Sequence, residues 1–143
     1  MKKLILFPVV AALFLLICST RTAQDTLEGT WILVKGTIVT PEDTIQLPAT
    51  EDAVHMKIIG KTHFATIWQD PNVEGYEGFN GGTYTYENGI YTENIQFNIE
   101  NGSIGWSIRF KVTLEKNRFF MESVDDEGNK PEFKISEEWK RVD

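Results

Sequence analysis

The sequence predicts an all-β fold, an antiparallel up-and-down meander of about eight strands closed into a barrel, and three observations lead there. Beyond residue 23 the chain alternates apolar and polar side chains with a period of two, and long stretches of helical period are missing. Gly, Asn and Asp interrupt that alternation at short intervals. Several of the alternating runs are joined by links so short that they can connect only antiparallel neighbours.

Strands are expected near 28–39, 53–59, 62–69, 80–87, 90–99, 104–115, 118–124 and 133–142. The run from Ile104 to Leu114 is the clearest. There Ile104, Trp106, Ile108, Phe110, Val112 and Leu114 alternate with Ser107, Arg109, Lys111 and Thr113, as in a strand with one wet face. Gly60-Lys61, Asn88-Gly89, Lys116-Asn117 and Asp125 to Asn129 supply the turns. Residues 40–52, with Pro41 and Pro48, and residues 70–79 are expected as surface loops, lids over one barrel end. The glycines from Gly78 to Gly82 are read as a tight loop entering a strand. With no helix long enough to cover an open sheet, closure into a barrel is the economical solution, since it also removes sticky edges.

Ahead of this domain stands an export signal. Lys2 and Lys3 form a positive start, and Leu4 to Ile17 give an apolar run interrupted only by Pro8, too short to span a bilayer comfortably. Cleavage after Ala23 leaves residues 24–143 as the mature domain, although Arg21 fits the cleavage signal poorly and a site near Ser19 is an alternative. Cys18, the only cysteine, would be lost with the leader. The other outcome is lipidation of Cys18 as an anchor, against which Ile17 in front of it counts. The mature domain then has no thiol chemistry and no transmembrane span, and its expected address is periplasmic or extracellular.

Without the three basic residues of the leader, the remaining 120 residues carry eleven basic against 21 acidic side chains, a formal charge of −10. Nucleic acid and anionic lipid surfaces are therefore poor partners. A length of 120 residues suits one domain with one core.

Gly29-Thr30-Trp31 on the first strand and Glu138-Trp139-Lys140-Arg141-Val142 on the last resemble the signature of lipocalins and their calycin relatives. The resemblance implies that Trp31 packs beneath Arg141 and closes the barrel bottom through a cation–π contact, with Gly29 completing the signature. The segments 57–65, Gly81 to Tyr84 and Tyr91 to Glu93 extend the likeness, in order, to exported bacterial lipocalin-like domains, over residues 27–142. It implies the fold but no particular ligand.

Strand parity then names candidate cavity residues. Tyr91, Glu93, Ile95, Phe97 and Ile99 share one face of their strand, and Phe133, Ile135, Glu137, Trp139 and Arg141 share one face of the last. Glu93 and Glu137 thus sit among apolar neighbours. One reading is a polar centre in which Glu93, Glu137, His63, Tyr84, Tyr91 and Trp106 line a ligand cavity. The other is a structural Glu–Arg pair with Arg141. His55 and His63 with Glu93 do not have the compact spacing of a metal site, and Glu93 with His63 is weak support for acid–base catalysis. No catalytic residue, metal or cofactor is expected. The expected function is binding of a small, mostly apolar ligand. The alternative is a non-enzymatic interaction or envelope-structural protein whose barrel is packed solid.

Overall fold

The structure, a computed structural model, describes residues 26–99, 102–124 and 133–143. The leader with Cys18 and the 125–129 link lie outside the described residues. Among the described residues nine strands follow one another: β1 (Gly29–Val39), β2 (Thr44–Leu47), β3 (Val54–Ile59), β4 (His63–Gln69), β5 (Glu77–Glu87), β6 (Ile90–Asn98), β7 (Ser107–Glu115), β8 (Arg118–Ser123) and β9 (Lys134–Arg141). From β3 to β9 each strand pairs antiparallel with the next, and β9 returns to pair with β1. That pairing closes the barrel. β2 and β3 lie end to end along one side of β1, β2 against residues 36–39 and β3 against residues 29–32, so nine strands make eight staves.

The expected loop at 40–52 is corrected by β2. The Thr40 hydroxyl accepts from the backbone N–H of Asp43 at 3.0 Å, and the Thr40 N–H donates to the Asp43 carbonyl at 2.8 Å. This side-chain-stabilised turn folds the chain back onto β1 before it leaves again at Pro48. In the β5–β6 hairpin, Asn88 and Gly89 both have positive φ, 53° and 78°, as a two-residue turn between twisted strands requires.

Gly78, Gly81 and Gly82 belong to β5 and not to a loop, because other groups occupy the space their side chains would fill. A Cβ would lie 2.6 Å from the Trp68 ring at Gly78, 2.5 Å from the Phe97 ring at Gly81 and 1.9 Å from the Asn94 carbonyl oxygen at Gly82. Register slips here: Gly81 faces Phe97 while Gly82 faces Ile95, which leaves Gln96 as the extra residue of a β-bulge. Beyond the bulge Phe97 and Ile99 turn outward, contrary to the inward parity expected of them. Gly82→Ala has only backbone to push against and should cost about 1–3 kcal/mol. Urea denaturation measures this, and an unchanged midpoint would mean that the bulge relaxes freely.

The strand expected from residue 104 starts at Ser107. Gly105, at φ 89°, turns the backbone out of the strand conformation, and Ile104 and Trp106 are exposed. Trp106 stacks on Phe133, with centroids 5.8 Å apart.

One end of the barrel is packed solid with aromatic side chains. Trp31, Tyr91, Phe110, Phe119 and Trp139 are fully buried. Phe119 meets Trp31 edge-on at 4.6 Å and stacks on Trp139 at 5.9 Å, geometries that suit the ring quadrupoles. The Arg141 guanidinium covers this end, 4.2 Å from the centroid of Trp31. Gly29 admits it: φ there is 146°, and a Cβ would lie 2.2 Å from Arg141 Nη1. On the outer wall Ile67 and Phe79 are paired across β4 and β5, with Phe97 alongside, and all three are exposed.

Candidate functional site

Above the aromatic packing the interior becomes polar. β3 turns His55, Lys57 and Ile59 inward, and Val54 and Ile58 outward. Its register places Lys57 opposite Thr66 on β4, and Thr66 in turn opposite Asn80 on β5. A row of three polar side chains therefore crosses one wall. Glu93 enters from β6 and Glu137 from β9, where the missing side chain of Gly36 leaves room: a Cβ there would lie 3.1 Å from Glu137 Cγ.

Lys57 Nζ donates to Glu93 Oε1 at 2.6 Å, and the two side chains are 4% and 6% exposed. β3 and β6 are separated by two strands, so this ion pair braces the lumen. The same ammonium lies 5.1 Å from the ring centroid of Trp139 and 5.8 Å from those of Phe64 and Tyr91. Its charge is thus met by a carboxylate and three ring faces, which is what a buried cation needs. The buried Tyr91 hydroxyl makes no hydrogen bond of normal geometry. Burial, and then the neighbouring Glu93 carboxylate, hold its acidity well below that of an ordinary phenol.

Between this brace and the far end lies a cavity of about 220 Å³. Ile38, Leu47, Ile108, Phe110, Met121 and Ile135 give it apolar walls. His55, Lys57, Thr66, Asn80, Glu93 and Glu137 supply the polar groups, with Trp68 and Tyr76 completing the lining. Two of its polar atoms, Thr66 Oγ1 and Asn80 Oδ1, are buried without a hydrogen-bond partner. Unmet polar atoms of this kind in a cavity commonly bind water or a ligand.

The segments 48–53 and 70–76 stand at this end and are tied together. The buried Asp70 carboxylate accepts from the Thr50 hydroxyl at 2.9 Å and from the Asn72 N–H at 2.9 Å, while Asn72 Nδ2 donates to Asp52 at 2.8 Å. Behind them Tyr76 Oη and His55 Nε2 are 3.4 Å apart. Burial lowers the pKa of His55, partly offset by Asp70, and burial followed by Asp70 raises that of Tyr76.

Glu137 also borders an open groove on the outer wall, shared with Lys35 and Glu122. Trp139 Nε1 donates to its Oε2 at 2.9 Å. Desolvation dominates at the carboxyl and raises its pKa above 4.5. Lys57 and the Trp139 bond oppose that shift, and Glu93 adds to it. Above pH 4.5 the folded chain thus keeps a proton that the unfolded chain has released. Glu137 therefore weakens folding as pH rises from 4.5 through its raised pKa. His55 acts on the other side: the unfolded imidazole takes up a proton first, so stability falls as pH drops below 6.5. Glu137→Gln should remove the loss toward neutral pH and leave the acid-side loss in place. Urea unfolding from pH 4 to pH 8 tests both slopes.

Of the residues proposed from strand parity, the structure brings Glu93 and Glu137 to the cavity. Tyr91 lies in the aromatic packing, and Tyr84 donates to the Gly60 carbonyl at 2.7 Å. Trp106 is exposed. His63 is also exposed, with Nδ1 against the Thr62 hydroxyl, so it forms no pair with Glu93 inside the barrel. The expected Glu–Arg pair is not made either. Arg141 donates to the carbonyls of Glu28 and Thr26 and faces Asp143, and Lys57 takes Glu93 instead. Parity misses Lys57 because Val54, Met56 and Ile58 make the outer face of β3 look like the inner one. No three His, Cys, Asp or Glu side chains among the described residues are grouped to hold a metal ion.

These features define an antiparallel barrel with one end packed and a small polar-lined cavity toward the other. No family model matches the chain, and no curated protein matches it. Among solved structures, a redesigned beta barrel is similar at 15% identity, with a TM-score of 0.47, over 82% of this chain and 92% of that one.

Proposed function

We propose that the chain is an exported lipocalin-like protein whose barrel binds one small, largely apolar molecule through a single polar end. The observation that carries this is the cavity, with apolar walls on most sides and the unmet atoms of Thr66 and Asn80 within it. Its 220 Å³ lies below the roughly 300 Å³ at which pockets for drug-sized ligands begin. The bulk liquid fills such a volume with about seven waters, so the ligand is correspondingly small. Arg141 over Trp31 at the sealed end supports the lipocalin-like half, and the leader at 1–23 supports export.

The second reading, a barrel that works through its outer wall, is favoured by the exposed row Ile67, Phe79 and Phe97. Native mass spectrometry of the protein from its own host separates the two. A retained small molecule supports the binding function, and the same spectrum reports the processed N-terminus and any acyl group on Cys18. Trp68 lines the cavity and serves as an internal fluorescence probe. If no molecule is retained and no small apolar compound alters that fluorescence, the binding function falls.

A further inference from the structure

Resting on the ligand-binding reading above, we infer that the cavity is built for a small organic cation, a primary ammonium on a short apolar body, with Glu137 as its counter-ion. The inference follows from which valences inside the barrel are already used. Lys57, the one Lys or Arg among the described residues that line the cavity, is committed to Glu93 at 2.6 Å and to three ring faces. What remains open is a set of groups that can accept, of which the Thr66 hydroxyl can also donate. Among the described residues Thr66 Oγ1 and Asn80 Oδ1 lie on one wall without partners, and the Glu137 carboxyl accepts from Trp139 Nε1 at Oε2. An ammonium has three donors and no acceptor, which matches that set.

Charge points the same way. Lys57 and Glu93 cancel, so an ionised Glu137 leaves the lumen one negative charge in excess, and a cation restores neutrality where charge is expensive. The loops at the cavity end, residues 40–43, 48–53 and 70–76, carry Glu42, Asp43, Glu51, Asp52, Asp70 and Glu74 with no Lys or Arg. Against these six carboxylates stands Lys134, in register with Val39 at the start of β9, so the described mouth is net acidic and raises the local concentration of cations. Trp68 and Tyr76 line the cavity as aromatic surfaces for the body of the ligand.

The ammonium pairs with the ionised carboxylate of Glu137, so binding releases a proton wherever that carboxyl is still protonated in the free protein. The groups that face Glu137 are Lys57 and His55 from β3, Glu93 and Tyr91 from β6, and Tyr76 from the 70–76 segment, with Lys35 and Glu122 in the outer groove. Burial of Glu137 places its titration above that of a free glutamate, and an alkylammonium stays charged throughout.

The test is calorimetric titration of the full chain with hexylamine, hexanol and hexanoate, equal in length and different in charge. Hexylamine should bind at least tenfold more tightly than hexanol, and hexanoate should give no heat. Below the titration of Glu137 the hexylamine affinity should fall toward tenfold per pH unit, since one proton must leave for each ammonium bound. Glu137→Gln, a near-isosteric change checked for folding by circular dichroism, should bring hexylamine down to the level of hexanol and remove the pH slope. Thr66→Val should weaken hexylamine while leaving the slope. If hexanol or hexanoate binds as well as hexylamine, the cation inference falls and ligand binding stands. If none of the three binds, both fall.

Discussion

Lys57→Met should lower the unfolding free energy by about 3–5 kcal/mol, because it strands the Glu93 carboxylate in the lumen without its cation. Methionine keeps most of the volume and the contact with the aromatic rings, so the loss reports charge and not a cavity. Glu93 is 5% exposed, and Lys57 is its ion-pair partner. Its remaining neighbour of note is the Tyr91 hydroxyl, one neutral donor at best.

The companion variant separates stability from architecture. Lys57→Met combined with Glu93→Leu removes both charges, and an apolar pair of similar volume should recover most of the loss or exceed the original stability. Urea denaturation of the two single variants and the double gives the coupling between the residues directly. A single variant that loses less than about 1 kcal/mol would show that water reaches Glu93. In that case the brace does not divide the barrel into a packed half and a hollow one.

The eight staves were legible in the sequence because each has one face whose apolar side chains recur every second residue, and because the turns carry their own chemistry, as at Asn88-Gly89. Facing was legible only while the register stayed regular. At Gln96 one extra residue sends Phe97 and Ile99 outward, and at Gly105 a positive φ releases Ile104 and Trp106. Neither event alters the alternation that a reader of the sequence sees. β2 was hidden for a different reason, since four residues between two prolines look like loop until Thr40 turns them onto β1. Glu93 and Glu137 stood out as charges on apolar faces. Lys57 did not, because the outer wall beside it is also apolar, so parity had two faces of similar character to choose between. The absence of a partner at Thr66 and Asn80 depends on three-dimensional neighbours alone.

Trp31→Ala should cost about 3–5 kcal/mol, the range for truncating a large buried aromatic. Trp31 is 0% exposed, meets Phe119 at 4.6 Å and donates its Nε1 to the Leu27 carbonyl at 2.9 Å, so the change leaves a cavity and strands an acceptor. The position also holds the closing seam. In the β1–β9 pairing Trp31 is the register partner of Arg141, so residues at opposite ends of the domain meet there, and Arg141 is fastened by the carbonyls of Glu28 and Thr26 as well as by the ring. Arg141→Met removes the guanidinium but keeps a stem over the indole. Measured as a cycle with Trp31→Ala, the pair should show a coupling of about 0.5–2 kcal/mol. Amide hydrogen exchange locates the damage: if Trp31 and Arg141 hold the seam, β1 and β9 should lose protection before the β5–β6 hairpin, which closes locally and does not depend on the chain ends meeting. Uniform loss around the barrel would instead mean that the sealed end and the seam unfold only with the whole domain.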